Sequence, residues 1–233
     1  MLYRLPAALL CLAVVAGCSH PAQQVATSPE AGGPSADTPI VLPVQVHTDS
    51  AAMARARRDS VERPYTQADI DFVHGMISHH AQAIIMSRWA PTHGAGEAVQ
   101  TLCGRIINAQ GDEIVLMQQW LADRGQPIPP PKPMPMHMVM DGMEHDMMMP
   151  GMLSDAQMKA LDAARGADFD KLFLADMIQH HRGAVSMVRQ LWATNGAAQD
   201  QWIFKFSNDV NVDQTTEIAR MEKMLLGVPV TSP

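Results

Sequence analysis

Cysteine is scarce in this chain: three in 233 residues, at positions 11, 18 and 103. So few thiols cannot build a disulfide framework, so a packed core or a bound metal must hold the fold together. Aromatic residues make up only 5% of the sequence. Basic residues are outnumbered, 17 Lys and Arg against 24 Asp and Glu, and the formal net charge is -7. That balance argues against a nucleic-acid partner and is compatible with attracting cations. No Gly-rich phosphate loop occurs, no nucleophile-centred Ser-His-Asp or Cys-His motif appears, and Cys103 has no local base. The apolar run at residues 7–17 is too short to cross a bilayer. What the sequence has in excess is methionine, 19 residues in a composition that is 47% hydrophobic. Met can be plain core filler, or a soft sulfur donor.

The start of the chain, "MLYRLPAALLCLAVVAGCSH", places Arg4 before that apolar run and reads as a signal peptide over residues 1–17. Val15, Ala16, Gly17 and Cys18 resemble the lipobox of bacterial lipoproteins. The resemblance implies cleavage before Cys18, a lipid on its sulfur, and a membrane anchor in the cell envelope. Ser19 in place of an aspartate resembles outer-membrane sorting in a Gram-negative host, on the periplasmic face. The plainer alternative is an ordinary signal peptide that leaves Cys18 unmodified. Residues 18–65 are rich in Ala, Pro, Ser, Thr and Gln and read as a flexible tether. Within it, "IVLPVQVH" reads as a short extended segment.

A folded region begins at Thr66, a helix N-cap with Asp69 three residues on in a capping-box position. The apolar spacing predicts helical segments over 67–89, 96–124, 154–192 and 197–226, the third broken at Gly166. Pro91, the run "GQPIPPPKP", and Gly227 with Pro229 mark ends. The short connections "APTHGAG" and "ATNGAA" make each pair an αα-hairpin. Hairpin one spans 66–124, a linker 125–153, hairpin two 154–226, and a tail 227–233.

The hairpins repeat each other. Phe72, Met76, His79, His80, Ala83 and Met86 match Phe173, Met177, His180, His181, Ala184 and Met187 at an offset of 101. Gln110, Glu113, Ile114, Met117 and Leu121 match Gln214, Glu217, Ile218, Met221 and Leu225 at an offset of 104. The paired motifs "MISHHAQAIIM" with "AQGDEIVLMQQWL", and "MIQHHRGAVSM" with "DQTTEIARMEKML", resemble the bacterial domain-of-unknown-function family 305, DUF305. That resemblance implies an all-α, ferritin-like four-helix bundle, and copper binding like that of some periplasmic members. It implies no reaction.

At about 100° per residue, Met76, His79, His80, Ala83 and Met86 fall in one stripe about 120° wide. Gln110, Glu113 and Met117 share a face of the next helix. A carboxylate on a core stripe is costly unless it is paired or coordinates a metal. The candidate bundle ligands are Met76, His79, His80, Met86 and Glu113, with Met177, His180, His181, Met187 and Glu217. Gln110, Gln214 and Cys103 are possible additions. Thioether with imidazole suits copper, above all Cu(I), and by the same chemistry silver. Zinc would take the histidines and glutamate but has little use for Met, and iron stays open. The plainer reading makes His80–Glu113 and His181–Glu217 hydrogen bonds that link helices. The four motif methionines then join Met117 and Met221 as core, and Cys103 is a small buried hydrophobe.

The linker, "PPPKPMPMHMVMDGMEHDMMMPGM", holds nine methionines and two histidines between Met134 and Met152. Pro129, Pro130, Pro131 and Pro133 keep a helix from entering it. Without a clean period it reads as a flexible multidentate thioether loop. Its candidate ligands are Met134, Met136, His137, Met138, Met140, Met143, His145, Met147, Met148, Met149 and Met152. A promiscuous apolar Met surface is the alternative.

The leading reading is an exported, lipid-anchored protein that buffers, stores or passes on copper, with metal ions, the membrane and a metal-exchange protein as partners. No catalytic step is required. A second reading is a ferritin-like di-iron or di-manganese redox enzyme, against which stands the Q-x-x-E pattern in place of E-x-x-H. A third is an envelope interaction domain that uses its histidines only as hydrogen-bonded core groups.

Overall fold

The computed structural model describes residues 64–140 and 143–227, with a few positions between 50 and 58. The signal peptide, Cys18, most of the tether and the end of the tail lie outside the described residues. The fold is an all-α bundle of two hairpins. Hairpin one is α1, Gln67–Arg88, and α2, Glu97–Asp123. Hairpin two is α4, Gly166–Ala193, and α5, Gln201–Leu225, preceded by a short α3, Asp155–Ala163. The hairpins meet chiefly through α1 and α4. Among the described residues no helix is long and apolar enough to cross a membrane.

Local chemistry explains the boundaries. The Thr66 N–H donates to Asp69 Oδ2 at 2.7 Å, closing the capping box. Asp69 is itself buried, and its Oδ1 accepts from Ala198 N–H at 2.7 Å, tying α1 to the loop of the other hairpin. The break at Gly166 is real. That residue has φ +58 and opens α4, and its N–H donates to the His93 carbonyl at 2.8 Å. α5 starts later than the sequence predicts. Asp200 is its N-cap, accepting from the Trp202 and Ile203 N–H groups at 3.0 Å. The same carboxylate pairs with Arg124 at 2.6 Å, so it joins the end of hairpin one to the start of α5.

Two findings depart from expectation. First, α1 presents no single core stripe. Seventeen of its 22 residues are buried, because α2, α3, α4 and the linker wrap it. A helix apolar nearly all round is a central helix. Second, the linker contains an antiparallel ribbon, β1 Met136–Met140 and β2 Met143–Met147, where the sequence suggests a loop without regular structure. Its register pairs Met136 with Met147, Met138 with His145, and Met140 with Met143. Met-x-Met-x-Met has the two-residue period of a strand, and a pleated backbone accommodates it.

The linker's downstream foot is seated on both central helices. Gln82 brackets Leu153, accepting from its N–H at 2.7 Å and donating to its carbonyl at 3.0 Å. Pro150 and Gly151 press onto α4 at Gly183, where an added Cβ would lie 1.9 Å from the Pro150 carbonyl oxygen.

Candidate metal centre

Four histidines sit at the seam of α1 and α4, all fully buried. His79 and His180 face each other with ring centroids 3.8 Å apart and planes 41° apart. His79 Nε2 lies 3.0 Å from the Pro150 carbonyl oxygen. A carbonyl only accepts, so the His79 proton is on Nε2 and Nδ1 carries a lone pair. That Nδ1 has no hydrogen-bond partner, and neither ring nitrogen of His180 makes a well-formed one, although the His79 backbone lies near it. Burial, with the neighbouring His80 imidazole, pushes His79 down to about 3. Burial and then the neighbouring imidazoles, His79 first, hold His180 well below the usual histidine range. Both rings are therefore neutral near pH 7. Buried neutral imidazoles with unused nitrogens are costly as packing alone, and they need no deprotonation to act as ligands.

His80 and His181 behave otherwise. His80 Nε2 is 2.6 Å from Glu113 Oε2, and His181 Nε2 is 2.6 Å from Glu217 Oε2. Each pair ties the first helix of its hairpin to the second. Each leaves the histidine Nδ1 without a partner. Gln110 and Gln214, one turn from those glutamates, are buried, and Gln110 Nε2 and Oε1 and Gln214 Oε1 are likewise unpartnered. The two hairpins thus repeat the same unsatisfied arrangement.

Met76, Met86, Met177 and Met187 are all buried in the core, as are Met117 and Met221. Cys103 is a buried thiol, pushed up to about 12 by burial and further by Asp170. It packs in the apolar core as a small hydrophobe. Among the linker ligands, Met149 and Met152 are buried against the bundle, Met134 is half-buried and Met148 is exposed. The first two are therefore not part of an open loop, because their segment is clamped by His79, Gln82 and Gly183. Met136, His137, Met138, Met140, Met143, His145 and Met147 are placed only by strand register. Among the described residues no group of three or more His, Cys, Asp or Glu side chains is set to hold a metal.

Sequence reasoning missed three groups. His93 is buried, stacks on Trp89, and reaches Asp162 Oδ1 at 3.0 Å, joining the loop of hairpin one to α3. Asp176 is a buried carboxyl with an unpartnered oxygen, raised to about 6 by burial. His74 precedes the motif on α1 and holds the Pro127 carbonyl at 2.9 Å. His74 and His93 each stand alone in the sequence, so no pattern flagged them. Asp176 is the counterpart of Gly75 at the offset of 101, and that mismatch was a readable signal.

The family model for the domain of unknown function DUF305 matches residues 69–225. The chain belongs to the DUF305 family. A DUF305 protein of Streptomyces coelicolor, assigned as secreted, is 28% identical, covering 71% of this chain and 98% of its own, with a TM-score of 0.58. CopM in its Cu(II)-bound form is 27% identical, covering 68% of this chain and 96% of its own, with a TM-score of 0.51. CopM in a Cu(I)-bound form is 26% identical at the same TM-score and coverage. An Ag-bound CopM obtained by co-crystallization is 25% identical at that TM-score. No curated protein matches the chain. The DUF305 likeness covers both hairpins, and CopM is the neighbour seen with Cu(II), Cu(I) and Ag bound.

Proposed function

We propose that this DUF305 chain is an exported, lipid-anchored protein that binds copper as cargo, Cu(I) above all and silver by the same chemistry. It would hold the metal for buffering, storage or transfer to a partner protein. The observation that carries the reading is the His79–His180 pair. Three buried nitrogens without well-formed hydrogen bonds meet at the seam, on rings already neutral at physiological pH. Buried thioethers lie on the same motifs. Nitrogen and thioether sulfur together favour Cu(I) and Ag(I) over zinc. Support also comes from the CopM structures with copper and silver bound.

His79, His180 and motif methionines would supply the bundle site, while the Met ribbon would capture ions. His80 and His181, already paired to Glu113 and Glu217, are better read as helix-linking groups that hold the seam in register. Against a di-iron enzyme stands the Q-x-x-E pattern of both hairpins in place of E-x-x-H.

Elemental analysis of the exported chain, purified with and without added copper, tests the reading. Copper should be recovered in stoichiometric amount. Recovery of iron or manganese alone would overturn it.

A further inference from the structure

The linker is fastened to α1 at two feet. Upstream, Ser78 Oγ accepts from the Met134 N–H at 2.7 Å and donates to the Lys132 carbonyl at 2.8 Å. Downstream, His79 holds Pro150 and Gln82 holds Leu153. Between the feet lies a cavity of about 220 Å³ lined by His74, Ser78, Met134, Met149 and Asp71 among prolines.

The donors around this cavity are unusual. His74 Nε2–H donates to the Pro127 carbonyl, so Nδ1 is the nitrogen a metal would use. Met149 is only 4% exposed although it lies next to the exposed Met148. The ribbon's pairing ends at Met136–Met147. Two residues beyond it on either side are Met134 and Met149, and both line a cavity that also holds an imidazole.

We propose that His74, Met134 and Met149 form a soft-metal site at the base of the Met ribbon, which takes one Cu(I) or Ag(I) separately from the His79–His180 pair. It rests on the reading that the chain binds soft cations. Two thioethers and one imidazole nitrogen suit a monovalent soft ion, and the space is ample, since a single water needs only about 10–15 Å³. The next residue after Met149 is Pro150, whose carbonyl holds His79. The site therefore stands between the ribbon and the histidine pair.

Titration of the full chain with Ag(I), followed through assigned ¹³C-methyl methionine signals, tests the site. The signals of Met134 and Met149 should shift together and saturate with one equivalent. His74→Gln, which keeps an N–H for Pro127, should weaken that equivalent at least tenfold. The double variant Met134→Leu, Met149→Leu keeps apolar volume and should lose that equivalent while the bundle still melts cooperatively. If both methyl signals stay fixed while the chain takes up Ag(I) elsewhere, the basal site is wrong and the wider reading stands. If the chain takes up no Ag(I) at all, both fall.

Discussion

His180 carries two ring nitrogens in the core without a well-formed hydrogen bond, and His79 faces it at a tilt with a third. Their depressed pKa values have a consequence for stability. The folded His79 titrates near 3, whereas an unfolded histidine titrates near ~6.5. Between those values the unfolded chain binds more protons, so stability rises with pH and is lost on acidification. The metal-free protein should thus weaken from pH 6.5 towards 3, by roughly 1 kcal/mol per pH unit from His79 alone. His180 adds in the same direction. Asp176 opposes them: its raised carboxyl stabilises the fold in acid, and that contribution is lost as pH rises from 3.8 to about 6. Asp213, raised by burial and the neighbouring carboxylates, acts in the same sense as Asp176. Two fully buried histidines outweigh the two carboxyls, so urea midpoints should be lower at pH 4.5 than at pH 7. Equal midpoints would show that the rings are not buried and neutral together. The His–Glu pairs make a separate prediction. Glu113→Ala or Glu217→Ala leaves a buried histidine Nε2 without its acceptor and should cost ~1–3 kcal/mol in urea unfolding. Those pairs were legible in the sequence, because HH and Q-x-x-E recur together in each hairpin. Which histidine faces its counterpart was not legible. His79 and His80 flank Met76 on either side, and only the crossing of α1 over α4 decides between them.

The linker shows what two mismatches between repeats can do. At the offset of 101, Gln82 corresponds to Gly183 and Ser78 to Gln179. Gln82 and Ser78 grip the linker, whereas Gly183 makes room for it. Gly183→Ala would put a Cβ 1.9 Å from the Pro150 oxygen and must shift the foot. A loss of about 1–3 kcal/mol follows from overpacking, along with weaker amide-exchange protection at Leu153 and the loss of the His79–Pro150 bond. A neutral Gly183→Ala would mean the foot is not seated on α4. Deleting residues 136–147 should instead spare all helical content and shift the melting temperature little. Removal extending through Met152 should be costly, since Met149, Leu153 and the Pro150 clamp belong to the bundle. The helices and the Gly166 break could be read from apolar spacing and punctuation. The ribbon could not, because its two-residue period is carried by Met, which has no marked strand preference. Nor could the near-total burial of α1, which depends on the linker and α3 folding back over it.

Two similar hairpins joined across α1 and α4 bury a broad apolar core, and the seam within it is where the unpartnered histidine nitrogens collect. Location follows from the other end of the chain. If the lipid on Cys18 is the anchor, Cys18→Ala should move the protein from the membrane to the soluble fraction without changing its melting temperature. Unchanged membrane fractionation would count against that anchor. The two-hairpin repeat is readable from the spacing of the motifs, and the bundle from their resemblance to DUF305. The ligand set was less readable, because a wheel places donors on a face without pairing them. The bundle's role turns on whether the unused nitrogens of His79 and His180 take a metal. Imidazole ¹⁵N spectra of the intact chain during Ag(I) titration answer this directly. His79 Nδ1 and a His180 nitrogen should shift on binding, while the Nε2 signals of His80 and His181 stay with their glutamates. If His79 and His180 remain unshifted at saturating Ag(I), the pair is a packing contact and the bundle does not hold the metal.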